Sequence, residues 1–410
     1  MKENKIKYAQ LILKECLKLE ENQPLLISAS IEDYEFIRIL AEEALKLGTK
    51  DLHIEYTDDY ITHSYYKYLN KEQLLNNEYI VNNKYDEYAH KKAAFLMLVS
   101  ETPNIMKDID ENLKKEVRKA RANTRLYFNE TRDRNETKWC IACLPNIDWA
   151  KKVYPNNDNP LEELWNTIFE ITGVLEENPI EKLKQSIKEK QEICNTLNNL
   201  KIKQLHYKNN IGTDFTVELF DKTIWCSGTS NINNEEVVVN FPSEEIFTSP
   251  NKYKINGVVK NSLPLSAGGV IFTNFKFTLK DGEIVNVEST DNIDTLKNLV
   301  YTEPGANYIG EIALVPYNSP ISNKQTIFYE TLLDENASCH LAFGASFTEC
   351  YENGEELSEK QREEIGLNTS KTHIDFMIGT KDLEITATTY DNKTIKIFTE
   401  GNFSKEISNK

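Results

Sequence analysis

Two residues near the end of the chain combine an imidazole with a carboxylate. His373 and Asp375 are two apart in the segment THIDFMI, which is typical of a strand, so both side chains are expected on one face. This pairing suits a borderline divalent ion such as Zn²⁺, Co²⁺ or Mn²⁺. A His–Asp hydrogen bond on a sheet has the same spacing, so the pair by itself does not decide between a metal site and a structural contact.

A second histidine, His340, lies among apolar residues in LLDENASCHLAFG. A neutral imidazole there is either an internal hydrogen-bond partner or a metal ligand. The residues before it suggest a short helix, with Asp334 as its N-cap and Glu335 in its first turn.

Three glutamates have apolar neighbours. Glu244 and Glu245 lie in PSEEIFTSP, and Glu311 begins the apolar run of GEIALV. A carboxylate that enters a core needs a cation or several hydrogen-bond donors, although each of these could also be a cap or a salt bridge. Together with the two histidines they supply the oxygen and nitrogen donors that a two-metal hydrolytic site requires.

Other motifs exclude several functions. Cys140 and Cys143 form a CxxC pair, but residues three apart in a strand face opposite sides, and the second pair of a zinc ribbon is missing. We therefore expect buried structural cysteines. The sequence has no GxGxxG, GxxxxGK[ST], HExxH or GxSxG motif. A nucleotide-dependent enzyme thus lacks a phosphate-binding loop, and a nucleotide-induced shift in melting temperature would be its test.

Four long segments resemble, in order, the signatures of a known family. They are PSEEIFTSP, GEIALV, LLDENASCHLAFG and GLNTSKTHIDFMIG, with 66 residues from Glu245 to Glu311 and 29 from there to His340. This order and spacing resemble the thermophilic-aminopeptidase family of metallo-aminopeptidases, which are related to aminopeptidase T and aminopeptidase S. Weaker similarity extends over essentially the whole chain.

The resemblance implies a metal-dependent aminopeptidase that releases N-terminal amino acids from peptides. It implies two divalent ions, Zn²⁺ or Co²⁺ with Mn²⁺ as a third candidate, a bridging carboxylate, and a homodimer. A carboxylate must also carry a proton to the leaving amine. Glu311 is the first candidate for that role and Glu244 the second, because in an extended segment Glu244 points away from its neighbour. The metal ligands carried over from the family are Glu245, Glu311, His340, His373 and Asp375.

One position departs from the family pattern. Phe347 lies seven residues beyond His340, where the family has a tyrosine thought to stabilise the tetrahedral intermediate. Loss of one oxyanion donor typically costs about 10²–10³ in rate. The alternative interpretation is therefore a catalytically weakened relative that keeps its metals and acts as a metal-stabilised peptide-binding module.

The elements that must position these residues fall into two patterns. In the first half, a strand at Pro24–Ser28, a helix at Asp33–Leu47 and a strand at Leu52–Tyr56 make a βαβ unit and hence a parallel sheet. After a polar helix from Pro179 to about Leu200, short strands alternate with Asn-, Asp- and Gly-containing turns. We predict an α/β N-terminal domain with a mostly parallel sheet over residues 1–199. An α+β C-terminal domain rich in antiparallel strands would follow over residues 200–410 and hold the metals.

Composition limits the partners. The chain has 410 residues, and 48 basic against 65 acidic side chains give a formal net charge of −17. Such a balance counts against nucleic acid and against an anionic membrane surface, and it mainly favours solubility. The sequence has neither a signal-peptide h-region nor an apolar run of membrane-spanning length, and its seven scattered cysteines do not resemble a disulfide framework. We therefore expect a cytoplasmic protein.

Overall fold

The structure, a computed structural model, describes residues 1–81, 83–100, 102–267 and 270–408. The chain divides into two compact units, and each unit takes two segments of the chain. One boundary falls inside the longest helix. Two more flank a segment of 15 residues, Gly228–Pro242, in which the chain returns to the first unit. The first unit consists of Met1–Gln185 and Gly228–Pro242, and the second of Ser186–Ser227 and Ser243–Lys410.

Thirteen α-helices occur in the described residues, and a π-helical turn at Leu11–Cys16 continues the first of them. None of them combines the length and the apolarity needed to cross a membrane. The helices are α1 Lys2–Gln10, α2 Tyr34–Lys46, α3 Asp59–Tyr68, α4 Lys71–Val81, α5 Asn83–His90, α6 Glu111–Asn123, α7 Leu126–Asp133, α8 Ile147–Val153, α9 Pro160–Ile171, α10 Pro179–Leu200, α11 Ile293–Val300, α12 Thr331–Glu335 and α13 Glu359–Ile365.

The strands in the described residues are short, with two to seven residues each. They are β1 Leu25–Ser30, β2 Leu52–Thr57, β3 Ala94–Val99, β4 Trp139–Cys143, β5 Ile202–Lys208, β6 Asp214–Glu218, β7 Cys226–Ser227, β8 Thr229–Ile232, β9 Glu235–Val238, β10 Asn240–Phe241, β11 Ile246–Thr248, β12 Ile255–Lys260, β13 Leu265–Ala267, β14 Val270–Phe272, β15 Phe275–Lys280, β16 Glu283–Ser289, β17 Ile309–Leu314, β18 His340–Gly344, β19 His373–Met377, β20 Glu384–Thr389, β21 Thr394–Thr399 and β22 Asn402–Phe403.

A parallel sheet in the order β10-β4-β3-β1-β2 forms the centre of the first unit. Its middle strands are continuous apolar runs because helices cover parallel sheets on both faces. Helix α2 buries Phe36, Ile37, Leu40 and Ala44 on one side and is followed by Gly48 at φ +99°, the left-handed position at which helices commonly end. Cys140 and Cys143 are buried in β4 as reduced thiols, as predicted.

Antiparallel strands form most of the second unit. Eight of them pair in the order β16-β15-β12-β6-β5-β20-β21-β22, and another group has the order β19-β18-β17-β11-β7. One large apolar cluster joins side chains of both groups, including Phe277, Phe376 and Ile385. The predicted fold class, a parallel α/β part followed by a part rich in antiparallel strands, is confirmed.

Candidate metal centre

Three neighbouring strands, β17, β18 and β19, carry four of the predicted ligands on one face. Glu311 pairs with Ala342, and Ala342 pairs with Asp375, so these three residues form a row across the strands. His340 and His373 lie two residues before Ala342 and Asp375, and side chains two apart share a face. The small side chain of Ala342 therefore lies between the carboxylates and leaves space in front of the sheet.

The opposite face of the same strands is part of the apolar core. Ile312, Leu341 and Phe376 alternate with the ligand positions and are fully buried in the main cluster. A slip of one residue would exchange the two faces, so burial of this face fixes the register that aligns the ligands. Gly344, opposite His373, has φ +108°, and a Cβ there would be 1.9 Å from the Thr372 carbonyl oxygen. A side chain at this position would push the start of β19, which carries His373, away from β18.

Glu245 comes from a different element. It immediately precedes β11, which pairs with β17, and its carboxylate is 3.3 Å from Nε2 of His340. The buried Asn336 holds this segment: its Oδ1 accepts a hydrogen bond of 2.6 Å from the Glu244 N–H, and its Nδ2 donates to the Leu332 carbonyl. Asn336 thereby links the residues that precede β11 to helix α12.

The five predicted ligands form two overlapping groups of three. Within each group, one ligand atom per residue lies within 4.8 Å of the others. Nε2 of His373 is 3.1 Å from a Glu311 carboxylate oxygen and 3.3 Å from one of Asp375. Ligand atoms that each lie about 2.1 Å from one ion in tetrahedral geometry are separated by roughly 3.4 Å, so these spacings are those of a coordination sphere. The groups are Glu245, Glu311 and His340, and Glu311, His373 and Asp375, which share Glu311.

Both imidazoles are held by backbone carbonyls. Nδ1 of His340 lies 3.0 Å from the Ser338 carbonyl, and Nδ1 of His373 lies 3.0 Å from that of Ala345. A carbonyl only accepts, so each Nδ1 carries a proton and each Nε2 is directed to the carboxylates. Metal-ligating histidines are oriented by the same outer contact.

Burial and mutual charge perturb the site strongly. Burial raises the pKa of Glu311 to about 7, although hydrogen bonding with His373 opposes the shift. Burial disfavours a charged His340, but the hydrogen bond with Glu245 and the charge of Glu311 raise its pKa to about 10. Burial also disfavours a charged His373, but Asp375 and Glu311 together, through their charges and hydrogen bonds, raise its pKa well above its usual range. The cluster thus needs protons or another source of positive charge.

The residues fit a divalent cation. Oδ1 of Asp375 is buried and accepts no well-aligned hydrogen bond from the described residues, its ion-pair partner among them being Nε2 of His373 at 3.3 Å, so a bound cation would satisfy it better. Burial would raise the pKa of Asp375, yet the charge of His373 lowers it, so this carboxylate is ionised. Three carboxylates and two imidazoles are donors of the kind that Zn²⁺, Co²⁺ and Mn²⁺ accept.

Glu244 is not brought to the ligand groups: its carboxylate is 3.8 Å from the Lys190 ammonium.

The sequence did not point to Glu335, the last residue of α12. Its pKa is raised well above its usual range by burial and by the charges of Asp375 and Glu245. The feature that could have indicated Glu335 is an acidic side chain five positions before the candidate ligand His340. The predicted Asp334 cap is wrong, because Glu330 caps α12 by accepting the Leu333 N–H. Asp334 instead accepts a hydrogen bond from the Phe328 N–H.

Phe347 lies against the site. Its ring centroid is 4.9 Å from that of His373 and 5.3 Å from that of Phe247. Its backbone N–H donates a 2.9 Å hydrogen bond to the Ser249 hydroxyl, which fixes the segment. The position that differs from the family pattern therefore contacts one of the candidate ligands.

Comparison with known proteins places this geometry in a family. The family model described as "Thermophilic metalloprotease (M29)" matches residues 1–403. The chain belongs to this family. It is 35% identical to aminopeptidase AmpS of Bacillus subtilis over 97% of each chain, and 34% identical to aminopeptidase 2 of Geobacillus stearothermophilus over 98% of each. Among solved structures, AmpT from Thermus thermophilus superposes with a TM-score of 0.88 at 27% identity, covering 98% of this chain and 99% of that one. The predicted family is confirmed.

Proposed function

We propose that this protein releases N-terminal amino acids from peptides, using two divalent metal ions held by Glu245, Glu311, His340, His373 and Asp375. The observation that carries the proposal is the pair of three-residue ligand groups that share Glu311. A shared carboxylate suits a bridging role, and each group would supply three ligands to one ion. All five residues belong to the second unit.

The enzyme class rests on the family. The chain is a member of a metalloprotease family along 403 residues, and its relatives over nearly their whole length are aminopeptidases. It is therefore a metallo-aminopeptidase, a hydrolase that requires divalent metal. The identity and number of the ions, the homodimer and the cytoplasmic location remain predictions.

The chain's own residues would divide the work as follows. When bound, a pair of ions lowers the pKa of water from 15.7 towards 7 and polarises the scissile carbonyl. The carboxylates attract the protonated α-amine of the substrate, a group that an internal peptide bond lacks, and this explains selectivity for the N-terminus. Burial raises the pKa of Glu311 to about 7 in the metal-free protein, and bound ions would lower it, so in the loaded enzyme this carboxylate is ionised and would act as a proton acceptor.

Proton transfer to the leaving amine has a ranked set of candidates. Glu311 stays first because it lies within both ligand groups. Glu335 is added because its carboxyl interacts with the same cluster. Glu244 ranks third, because its carboxylate forms an ion pair with the Lys190 ammonium at 3.8 Å.

The test combines metal analysis with an assay on aminoacyl p-nitroanilides. Chelator-stripped protein is reloaded with Zn²⁺, Co²⁺ or Mn²⁺, and bound metal is counted by mass spectrometry. We expect activity to vanish on stripping, to return on reloading, and to reach its plateau at two ions per chain. Asp375→Asn should lower occupancy, whereas Asp221→Asn, an exposed substitution of the same kind, should leave it unchanged. Undiminished activity in stripped protein would refute the proposal.

A second function is favoured by one observation, the contact of Phe347 with His373 at the position where the family has tyrosine. In this alternative the protein keeps its metals but turns over weakly and acts as a peptide-binding module. Near-zero turnover at full metal occupancy, together with measurable peptide affinity, would distinguish it from the first proposal.

A further inference from the structure

Two thiols of the second unit lie side by side on neighbouring segments. The Cys226 thiol is 3.8 Å from the carbonyl oxygen of Glu349, whose peptide bond leads into Cys350, and the two cysteine side chains share a hydrogen bond. The backbones are joined as well, because the Ile224 N–H donates a 2.9 Å hydrogen bond to the Cys350 carbonyl. The fold therefore holds two sulfur atoms in contact, and a small movement would bring them to the length of a disulfide bond, about 2.0 Å.

Solvent reaches one of these two thiols. All seven cysteines lie in the described ranges; six are buried, and Cys226 is partly exposed. An oxidant from solution therefore meets Cys226 first, whereas the fully buried Cys350 can react only with a neighbouring group. A third thiol, Cys194, is also close, since burial and the nearby Cys226 raise its pKa to about 12. Cys194 is thus the competing partner for an oxidised Cys226.

Cys226 belongs to the face of the sheet that carries the proposed metal ligands. Phe247 pairs with Cys226 on one side and with Ala313 on the other. Ala313 pairs with His340, so this row across β7, β11, β17 and β18 extends from the partly exposed thiol to a candidate ligand. Residues directly opposite each other in neighbouring strands share a face, and the Cys226 thiol therefore lies on the same side of the sheet as the metal centre.

A short series of contacts joins the thiol pair to a second candidate ligand. Cys226 is opposite Phe247, and the Phe247 ring packs against that of Phe347. Phe347 in turn packs on His373, and the chain reaches Cys350 three residues later. A change at the thiol pair thus acts on Phe347 both through Phe247 and along the chain.

We propose that Cys226 and Cys350 form a reversible disulfide when the protein meets a hydroperoxide, and that this bond lowers activity at the metal centre. The Cys226 thiolate attacks the peroxide O–O bond, takes up one oxygen as a sulfenic acid and releases the other as water. The Cys350 sulfur then displaces the sulfenic oxygen, which leaves as a second water. Two thiols are oxidised to one disulfide while one H₂O₂ is reduced to two waters. Burial raises the pKa of the Cys350 thiol well above its usual range, so its proton leaves only as the sulfur–sulfur bond forms.

The bond would displace the segment that carries Phe347. Shortening a contact between two sulfur atoms to about 2.0 Å draws the backbone at Cys350 towards β7. A misplacement of about 1 Å in a catalytic arrangement can cost up to about 10² in rate. We therefore expect the oxidised protein to lose about tenfold in kcat and to bind metal less tightly, because Phe347 contacts the candidate ligand His373. The effect on kcat rests on the proposed function.

The test treats Zn²⁺-loaded protein with a small excess of hydrogen peroxide, since Zn²⁺ has no redox chemistry of its own. Free thiols are then blocked and disulfides are mapped by mass spectrometry. Turnover of an aminoacyl p-nitroanilide and zinc affinity, by competition with a chelator, are measured before oxidation, after it, and after reduction with dithiothreitol. We expect the Cys226–Cys350 disulfide, the loss of kcat and of zinc affinity, and recovery of both on reduction.

A second pair of thiols in the chain is an internal control. Cys16 and Cys140 also share a hydrogen bond, but both are fully buried. They should stay reduced under the same treatment, because peroxide does not reach either sulfur. Oxidation of this pair at the same rate would overturn the argument from access.

Three variants assign the effect. Cys350→Ser and Cys226→Ser should each prevent the bond and make kcat insensitive to peroxide, and Cys226→Ser does so at a partly exposed position. Cys194→Ser removes the competing thiol and should keep both the disulfide and the loss of kcat. A wild type without the disulfide, a bond from Cys226 to Cys194 instead, or a disulfide that changes neither kcat nor zinc affinity would overturn the inference. A mapped disulfide that weakens zinc binding in a protein with no turnover would keep this inference and refute the aminopeptidase proposal.

Discussion

Loading the metal centre should release protons, and their number follows from the pKa shifts of its ligands. In the metal-free protein the two imidazoles carry charge that partly balances the carboxylates around them. A metal ion takes the Nε2 lone pair of each histidine, so each must lose its proton on binding. Loading stripped protein should therefore acidify a weakly buffered solution.

The ligands should release about two and a half protons per chain at pH 7, and ionisation of metal-bound water would add about half a proton. His340, with a pKa of about 10, is almost fully protonated at that pH and contributes about one. His373, whose pKa is raised well above its usual range, contributes about one more. Glu311, with a pKa of about 7, is about half protonated and contributes about half. Any proton on the Glu335 carboxyl would add to this count.

The assay is titration calorimetry in buffers of different ionisation enthalpy, which yields the number of protons released. Raising the pH from 7 to 8 should lower the share released by the ligands to about two, because Glu311 is then about nine-tenths ionised while His340 keeps its proton. Greater ionisation of metal-bound water should offset most of this fall in the total count. A further rise towards pH 10 should halve the contribution of His340.

Two histidine variants locate the source of the protons. His340→Gln should lower the count by about one. His206→Gln should not change it, because His206 lies on β5 and pairs with the exposed Asp214. Release of less than one proton at pH 7, or a count that His340→Gln does not lower, would refute the assignment of charged imidazoles to this site.

Three further substitutions test other parts of the structure. Phe347→Tyr should raise kcat by up to about 10²-fold if the missing hydroxyl limits the rate, and an unchanged kcat would mean that another donor fills the role. Ala342→Val places methyl groups between the row of carboxylates and should weaken metal affinity about tenfold, as measured by competition with a chelator; a similar loss in Ala387→Val, which overpacks β20, would contradict this explanation. Lys138→Met removes a 3%-exposed ammonium that pairs with Glu20 and Glu235 and should lower the free energy of unfolding in urea by about 1–2 kcal/mol. The exposed Lys46→Met should leave the free energy of unfolding nearly unchanged, and equal effects would show that burial of Lys138 does not matter.

The first-half βαβ unit was predictable because its signals are local. An apolar run, an amphipathic helix with a glycine after it, and a second apolar run lie within about thirty residues. The return of the chain to the first unit was not predictable in the same way. The segment Val237–Phe241 suggests one strand, but the structure divides it into β9 and β10, and β10 pairs in parallel with β4 about a hundred residues earlier. Two-residue strands carry too little pattern to indicate such a partner.

The candidate site shows the same contrast between local and long-range information. Spacing alone places His373 and Asp375 on one face, and the structure agrees. Their meeting with Glu311 depends on strand register, which no local pattern reveals, and the family resemblance supplied it. Glu335 was missed because its position follows from where α12 ends, and the cap that decides this is Glu330, outside the preferred set of capping residues.

The row of ligands across β17, β18 and β19 has a consequence for local motion. Because each strand contributes at least one ligand, any opening between neighbouring strands separates groups that one ion would hold together. Bound metal would therefore cross-link the three strands. The amide hydrogens of these strands would then exchange with solvent only as fast as the ions dissociate. Exchange in β20 and β21, which carry none of the proposed ligands, would be nearly indifferent to metal. Dissociation of a metal ion and local opening of the sheet would then be the same event, measured once as metal release and once as amide hydrogen exchange.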